Sequence, residues 1–169
     1  LKDTHWAIDF PRPDLTSIQL HVRPGEQRPL RFNQPITEFT IDNTPISEDN
    51  ETDTILETIK QVHRKDPDVI YTRNGDGILF PYVYHRARTL GIASHTNFGR
   101  DTTLPTKLGP QKEAKSYFSY GHIIYRPAFY TLKGRIHLDL ANSFLYGESG
   151  LRGLLDISRC ANIPLQLCS

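Results

Sequence analysis

The chain predicts an α/β domain. Strand patterns and helix patterns alternate along it, one long amphipathic segment separates two strand runs, and a polar turn hands a strand directly to a second helix. With 169 residues, 37% of them hydrophobic, it is long enough to bury one sizeable core, and a single domain over 1–169 is expected. Pattern alone leaves the strand order open.

Trp6, Ala7 and Ile8 form a short apolar run that ends at Asp9, Phe10 and a turn broken by Pro11 and Pro13, which predicts a short first strand. Ile18, Leu20 and Val22 alternate with Gln19 and His21, the pattern of a half-buried strand, and Pro24-Gly25 closes it. Phe39 and Ile41 predict another strand. From Ser47 to Arg64 the period changes to that of a helix, with Ile55, Leu56, Ile59 and Val62 on one face. Asp49, Asn50, Glu51 and Asp53 crowd its first turn and Lys60, Arg64 and Lys65 its last, the charge order that suits a helix dipole.

Pro67 ends that helix, and Val69 to Tyr71 supply the next strand. The strand stops at Asn74-Gly75-Asp76-Gly77. A second helix is expected to begin at Pro81, where a missing amide hydrogen costs nothing, and to stop at Gly91. Residues 93–114 are polar, rich in Thr, Gly and Pro, and read as a long loop or hairpin insertion. Tyr117, Phe118, Tyr120, Ile123, Ile124 and Tyr125 make an aromatic β segment. Two further strands are expected at Phe129 to Leu132 and Ile136 to Leu140, and a last helix at Leu151 to Cys160.

The net charge of +1 and a pI of about 8.0 give no global attraction to DNA or to an acidic membrane, so any nucleic-acid contact must come from a local patch. No apolar run approaches the roughly 20 residues that span a bilayer, and no signal-peptide pattern opens the chain. A cytoplasmic protein without a membrane partner is expected. Its only cysteines, Cys160 and Cys168, lack companions at zinc spacing and read as free thiols. Beginning at Leu1 and ending straight after an apolar stretch, the sequence reads as a piece of a longer protein.

Asp66 to Gly91, reading DPDVIYTRNGDGILFPYVYHRARTLG, resembles the second exonuclease motif of family B DNA polymerases, in which an Asn-Gly-Asp turn precedes a Phe-Asp-Phe-Pro-Tyr type sequence. Asn97-Phe98-Gly99-Arg100-Asp101 resembles the Gly-Arg-Asp loop that follows in the same family, and Lys133 to Leu140, KGRIHLDL, resembles its Lys-Gly-Arg-Ile-His-Phe-Asp-Leu strand. The matches keep the family's order and together cover roughly half of the chain. The resemblance implies a ribonuclease H-like, three-layer fold: a mixed central sheet, helices on both sides and a β insertion. The chain is also similar to the family's divergent archaeal group, which is regarded as inactivated. A polymerase palm in the same parent chain, single-stranded or primer-template DNA as partner and a nucleoid-associated location are implied with it.

Exonucleases of this family use two divalent metals about 3.5 to 4 Å apart, held by clustered carboxylates. The resemblance places these in an Asp-x-Glu pair on the first strand, an Asp in the second motif and an Asp at the end of a Tyr-x-x-x-Asp third motif. Here Asp9 is kept, but Pro11 takes the Glu position, Leu79 replaces the second-motif ligand, and Gly150 takes the third-motif position in Tyr146 to Gly150. Three of four carboxylates are missing. The expectation is an inactive exonuclease-like domain with no metal cofactor and no catalytic residues.

The alternative is an active 3′–5′ exonuclease that holds Mg²⁺ or Mn²⁺ through Asp9, Asp76 and Asp139. Against it, Asp76 reads as the cap of the Asn74 to Gly77 turn, where such residues are expected anyway, and Asp139 reads as structural. The seven histidines show no metal spacing, and Ser149 has no nucleophile-elbow context. Asn74, Phe80, Tyr120, Arg126 and Arg135 are the candidate nucleic-acid contacts, since aromatic and basic side chains together suit single strands. Strand alternation sends about half of the aromatic segment to the core.

Overall fold

The computed structural model of the chain describes residues 11–24, 31–101, 115–119, 122–126 and 128–165. Strands β1 (Ser17–Pro24), β2 (Ile36–Ile41) and β3 (Thr44–Ile46) form an antiparallel meander, and α1 (Glu51–Lys65) carries the chain back to β4 (Val69–Thr72). A π-helical turn, Gly75–Leu79, leads into α2 (Phe80–Thr89), and a short 3-10 turn follows at Ala93–His95. After the hairpin β5 (Lys115–Ser119) and β6 (His122–Arg126) come β7 (Ile136–Asp139) and α3 (Phe144–Ala161).

The main sheet has the order β3-β2-β1-β4-β7, with β5 and β6 forming a separate pair. β4 runs parallel to β1, with Gln19 opposite Tyr71, and parallel to β7, with Thr72 opposite Asp139. Alternation then divides the side chains. Ile18, Leu20, Phe39, Ile41 and Ile70 face α1 and α2 in one core, whereas Val69 and Leu138 pack with Leu154 of α3 in a second. A mixed sheet covered by helices on both faces is the ribonuclease H-like arrangement.

Each helix has a local cause. In α1, Asn50 accepts the Asp53 N–H as N-cap, and Ile55, Ile59 and Val62 form the buried stripe, each worth about 1.5–3 kcal/mol when fully withdrawn from water. α1 and α2 are tied by Glu51 and Arg86, whose two hydrogen bonds measure 2.6 and 2.7 Å. The same carboxylate accepts the Ile36 N–H, and Arg86 also donates to the Asn33 carbonyl, so this half-dry ion pair has its remaining valences met. Gly91 takes φ +72, the left-handed value a helix stop requires.

One expectation changes and another is extended. Phe129 to Leu132 is not a strand; only isolated bridges occur there, Leu132 pairing with Arg135 across the Lys133-Gly134 turn. A helical piece from Phe144, capped by Ser143 accepting the Tyr146 N–H, precedes the expected last helix; Gly150 breaks the element, and the piece after it, reaching Ala161, is the helix expected at Leu151 to Cys160. Tyr146 to Gly150 covers the end of the first piece and the break, ahead of the last helical piece. The 93–114 segment carries a 3-10 turn and a buried Phe98, while 102–114 falls outside the described residues, as does the expected strand at Trp6 to Ile8.

Candidate functional site

The turn that follows β4 is built on Asp139. Asn74 adopts a left-handed conformation, φ 60 and ψ 35, which Asn tolerates better than most side chains. Asp139 Oδ1 accepts the Asn74 N–H at 2.8 Å and the Ala141 N–H at 3.0 Å, and Oδ2 accepts the Asp76 N–H at 2.9 Å. Asp139 thus caps the turn, the role expected of Asp76.

Asp76 reaches away from the turn instead. Its Oδ1 accepts the Tyr130 N–H at 2.7 Å and its Oδ2 the Asn142 side-chain amide at 2.9 Å. His137 Nδ1 lies 2.8 Å from the Tyr130 carbonyl, which can only accept, so Nδ1 carries the proton. Nε2 is left to accept the Thr72 hydroxyl, also at 2.8 Å. Burial drives the Asp76 carboxyl up from its ordinary value and the buried His137 imidazole down, although Asp76 Oδ1 stands only 3.6 Å from His137 Nδ1. Both main-chain groups of Tyr130 are thereby clamped, one by the turn and one by β7.

These side chains line a cavity of about 20 Å³, enough for one water. Every carboxylate oxygen around it already receives a hydrogen bond from within the protein. Among the described residues, no group of three or more His, Cys, Asp or Glu side chains could hold a metal ion.

The substituted positions have separate surroundings. Leu79 is 2% exposed and belongs to the core with Phe80, Tyr82, Tyr130 and Leu132. Gly150 has φ 63 and ψ −170, a backbone region open essentially to glycine alone, and it breaks α3 into two helical pieces. Pro11 is exposed at the start of the described residues; Asp9 lies outside them.

The expected nucleic-acid contacts are only partly surface groups. Asn74 is exposed. Phe80 is not available for stacking: it is fully buried, 4.8 Å from the His137 ring and edge-on to it, because α2 turns it beneath the sheet. Arg135 is also inside, donating to the carbonyls of Phe98 and Pro67 at 3.1 and 2.6 Å and pairing with Asp66. Tyr120 lies outside the described residues, and for Arg126 only the backbone, ending β6, is described. On the hairpin, Phe118 is 74% exposed.

Sequence reasoning missed the linked roles of Thr72, Tyr130, His137 and Asn142. The histidine was visible in KGRIHLDL, but its partners come from β4 and from the segment before β7, distant in sequence. No local spacing announces them.

Residues 21–145 match the family described as DNA polymerase family B, exonuclease domain. DNA polymerase 1 of Pyrococcus abyssi is 36% identical over 93 residues, 54% of this chain and 10% of that protein. A DNA polymerase of Thermococcus litoralis is 37% identical over 92 residues, 54% of this chain and 4% of that one. The solved structure of the family B DNA polymerase from the hyperthermophilic archaeon Pyrobaculum calidifontis aligns with a TM-score of 0.50 at 20% identity, covering 94% of this chain and 20% of its own. That likeness concerns the fold. The aligned part of this chain spans a tenth or less of the length of these curated relatives.

Proposed function

This chain belongs to the exonuclease-domain family of the family B DNA polymerases, and on that premise we propose that it is a catalytically inactive member, kept as architecture or to hold a DNA strand beside a polymerase palm in the same parent protein. One observation carries the reading: all four oxygens of Asp76 and Asp139 already accept hydrogen bonds from internal donors, which a bound cation would have to share or displace. Two hydrated divalent ions also do not fit a cavity with room for one water. Leu79 in the apolar core and Gly150 in a glycine-only conformation add nothing that binds metal. The described residues do not suit a two-metal centre, and no hydrolytic step is derived through one.

The second reading, a proofreading 3′–5′ exonuclease with a variant Mg²⁺ or Mn²⁺ site, draws on the convergence of Asp76 and Asp139 at one cavity. A 5′-labelled single-stranded oligonucleotide incubated with the chain in Mg²⁺ or Mn²⁺ separates the two. The expected outcome is a full-length oligonucleotide at all times. A ladder of shortened products that disappears with a chelator and in Asp9→Ala would establish the active reading instead.

A further inference from the structure

The three parallel strands start level: Ser17 of β1 stands opposite Val69 of β4, and Val69 opposite Ile136 of β7. At these amino ends, the far end of the strands from Asp76 and Asp139, a groove of about 400 Å³ opens to solvent. Its size falls within the range of small-molecule sites, about 300–1,000 Å³. Leu15, Leu132 and Ile136 give it an apolar surface drawn from both cores, Leu132 from the one under α1 and α2, Leu15 and Ile136 from the one under α3.

The charged groups around the groove cancel except for one. Asp68 Oδ2 accepts both the N–H and the hydroxyl of Thr16 at 2.9 Å, and its Oδ1 lies 2.9 Å from Arg100. Arg100 also donates to the Asp66 carboxylate and carbonyl, both at 2.8 Å, and Arg135 pairs with the same carboxylate. Two carboxylates thus meet two guanidiniums. Lys133 on the rim is exposed and, among the described residues, has no ion-pair partner. Its main chain is fixed from behind, since its carbonyl accepts the Arg100 N–H at 2.8 Å and Leu132 bridges to Arg135 across the turn. Gly134, at φ +76, packs so closely that an added Cβ would stand 2.9 Å from Arg100 Cβ. A rim held in this way loses little freedom when a ligand arrives.

We propose that this groove binds a small organic anion with an apolar body, its anionic group on the Lys133 ammonium and its body against Leu15, Leu132 and Ile136. The surplus of one cation sets the sign of the ligand, and the apolar surface sets the rest of it. A cationic ligand would find both Asp68 oxygens already taken. The site is independent of whether the chain holds DNA.

Anilinonaphthalene sulfonate, an aromatic body with one sulfonate, is the probe, and its fluorescence is titrated with the 169-residue chain. The parent should give a saturable, single-site enhancement. Lys133→Gln should weaken binding about tenfold, the loss of one charge-assisted hydrogen bond, at an unchanged melting midpoint because the side chain is exposed. Lys133→Arg should keep most of the affinity, and Lys60→Gln, an exposed lysine of α1, all of it. Phenylnaphthylamine, the same rings without the sulfonate, should bind parent and Lys133→Gln equally weakly. Amide shifts on adding the sulfonate should centre on Asp68, Gly134 and Ile136. No saturable binding, parental affinity in Lys133→Gln, an equal loss in Lys60→Gln, or shifts centred on the exposed Phe118 of the hairpin would each overturn the assignment.

Discussion

Gly75 is the tightest point of the turn. A Cβ there would run into the Thr72 hydroxyl and stand 2.8 Å from His137 Nε2, the two atoms that hydrogen-bond each other. The glycine is needed for space, since these side chains are packed from β4 and β7 and cannot withdraw. Gly75→Ala should lower stability by about 2–4 kcal/mol, through overpacking and the loss of one buried hydrogen bond, as read from the denaturant midpoint. A neighbouring change, Gly77→Ala, faces open space and serves as the control. The sequence marked Asn74 to Gly77 as a turn because Asn, Gly and Asp favour that geometry locally. It could not say that Asp139, more than 60 residues away, supplies the cap.

Within single elements, legibility follows periodicity. α1 was readable because its buried stripe, its acidic first turn and its Asn50 cap all agree. Of α3, the piece after Gly150 was readable and the piece before it was not, since Gly147 and Gly150 dilute the helical pattern there while Ser143 supplies a cap that the pattern did not weigh. Gly150 separates the two halves by conformation alone, for nothing lies within 4 Å of a Cβ built there. Gly150→Ala should therefore destabilise by about 1–3 kcal/mol through backbone strain, without any packing clash. Thermal melts would show the loss, and an unchanged midpoint would mean that the break relaxes into continuous helix.

For the molecule as a whole, the alternating strands and helices announced a layered α/β fold, and the order β3-β2-β1-β4-β7 emerged only with the structure, because pairing is decided by which faces must be covered together. The same non-local pairing fixed the fate of Phe80 and Arg135, whose residue types suggested a surface that their packing denies. It also sets a pH response. His137 is held below its ordinary value of 6.5 by burial, so the unfolded chain takes up its proton first as pH falls. Stability from this group is complete above 6.5 and declines below it towards the lowered native value. Asp76, shifted upward by burial, acts with the opposite sign above its ordinary value of 3.8, where its native form gains a proton first. Melting midpoints should drop as pH falls below about 6.5, and His137→Gln should flatten that drop while starting from a lower midpoint. The glycine break in α3 has a further consequence at this level. Any side chain introduced at position 150, a carboxylate included, would have to accept φ 63 and ψ −170, so new chemistry at this point of the chain comes only with a weaker fold.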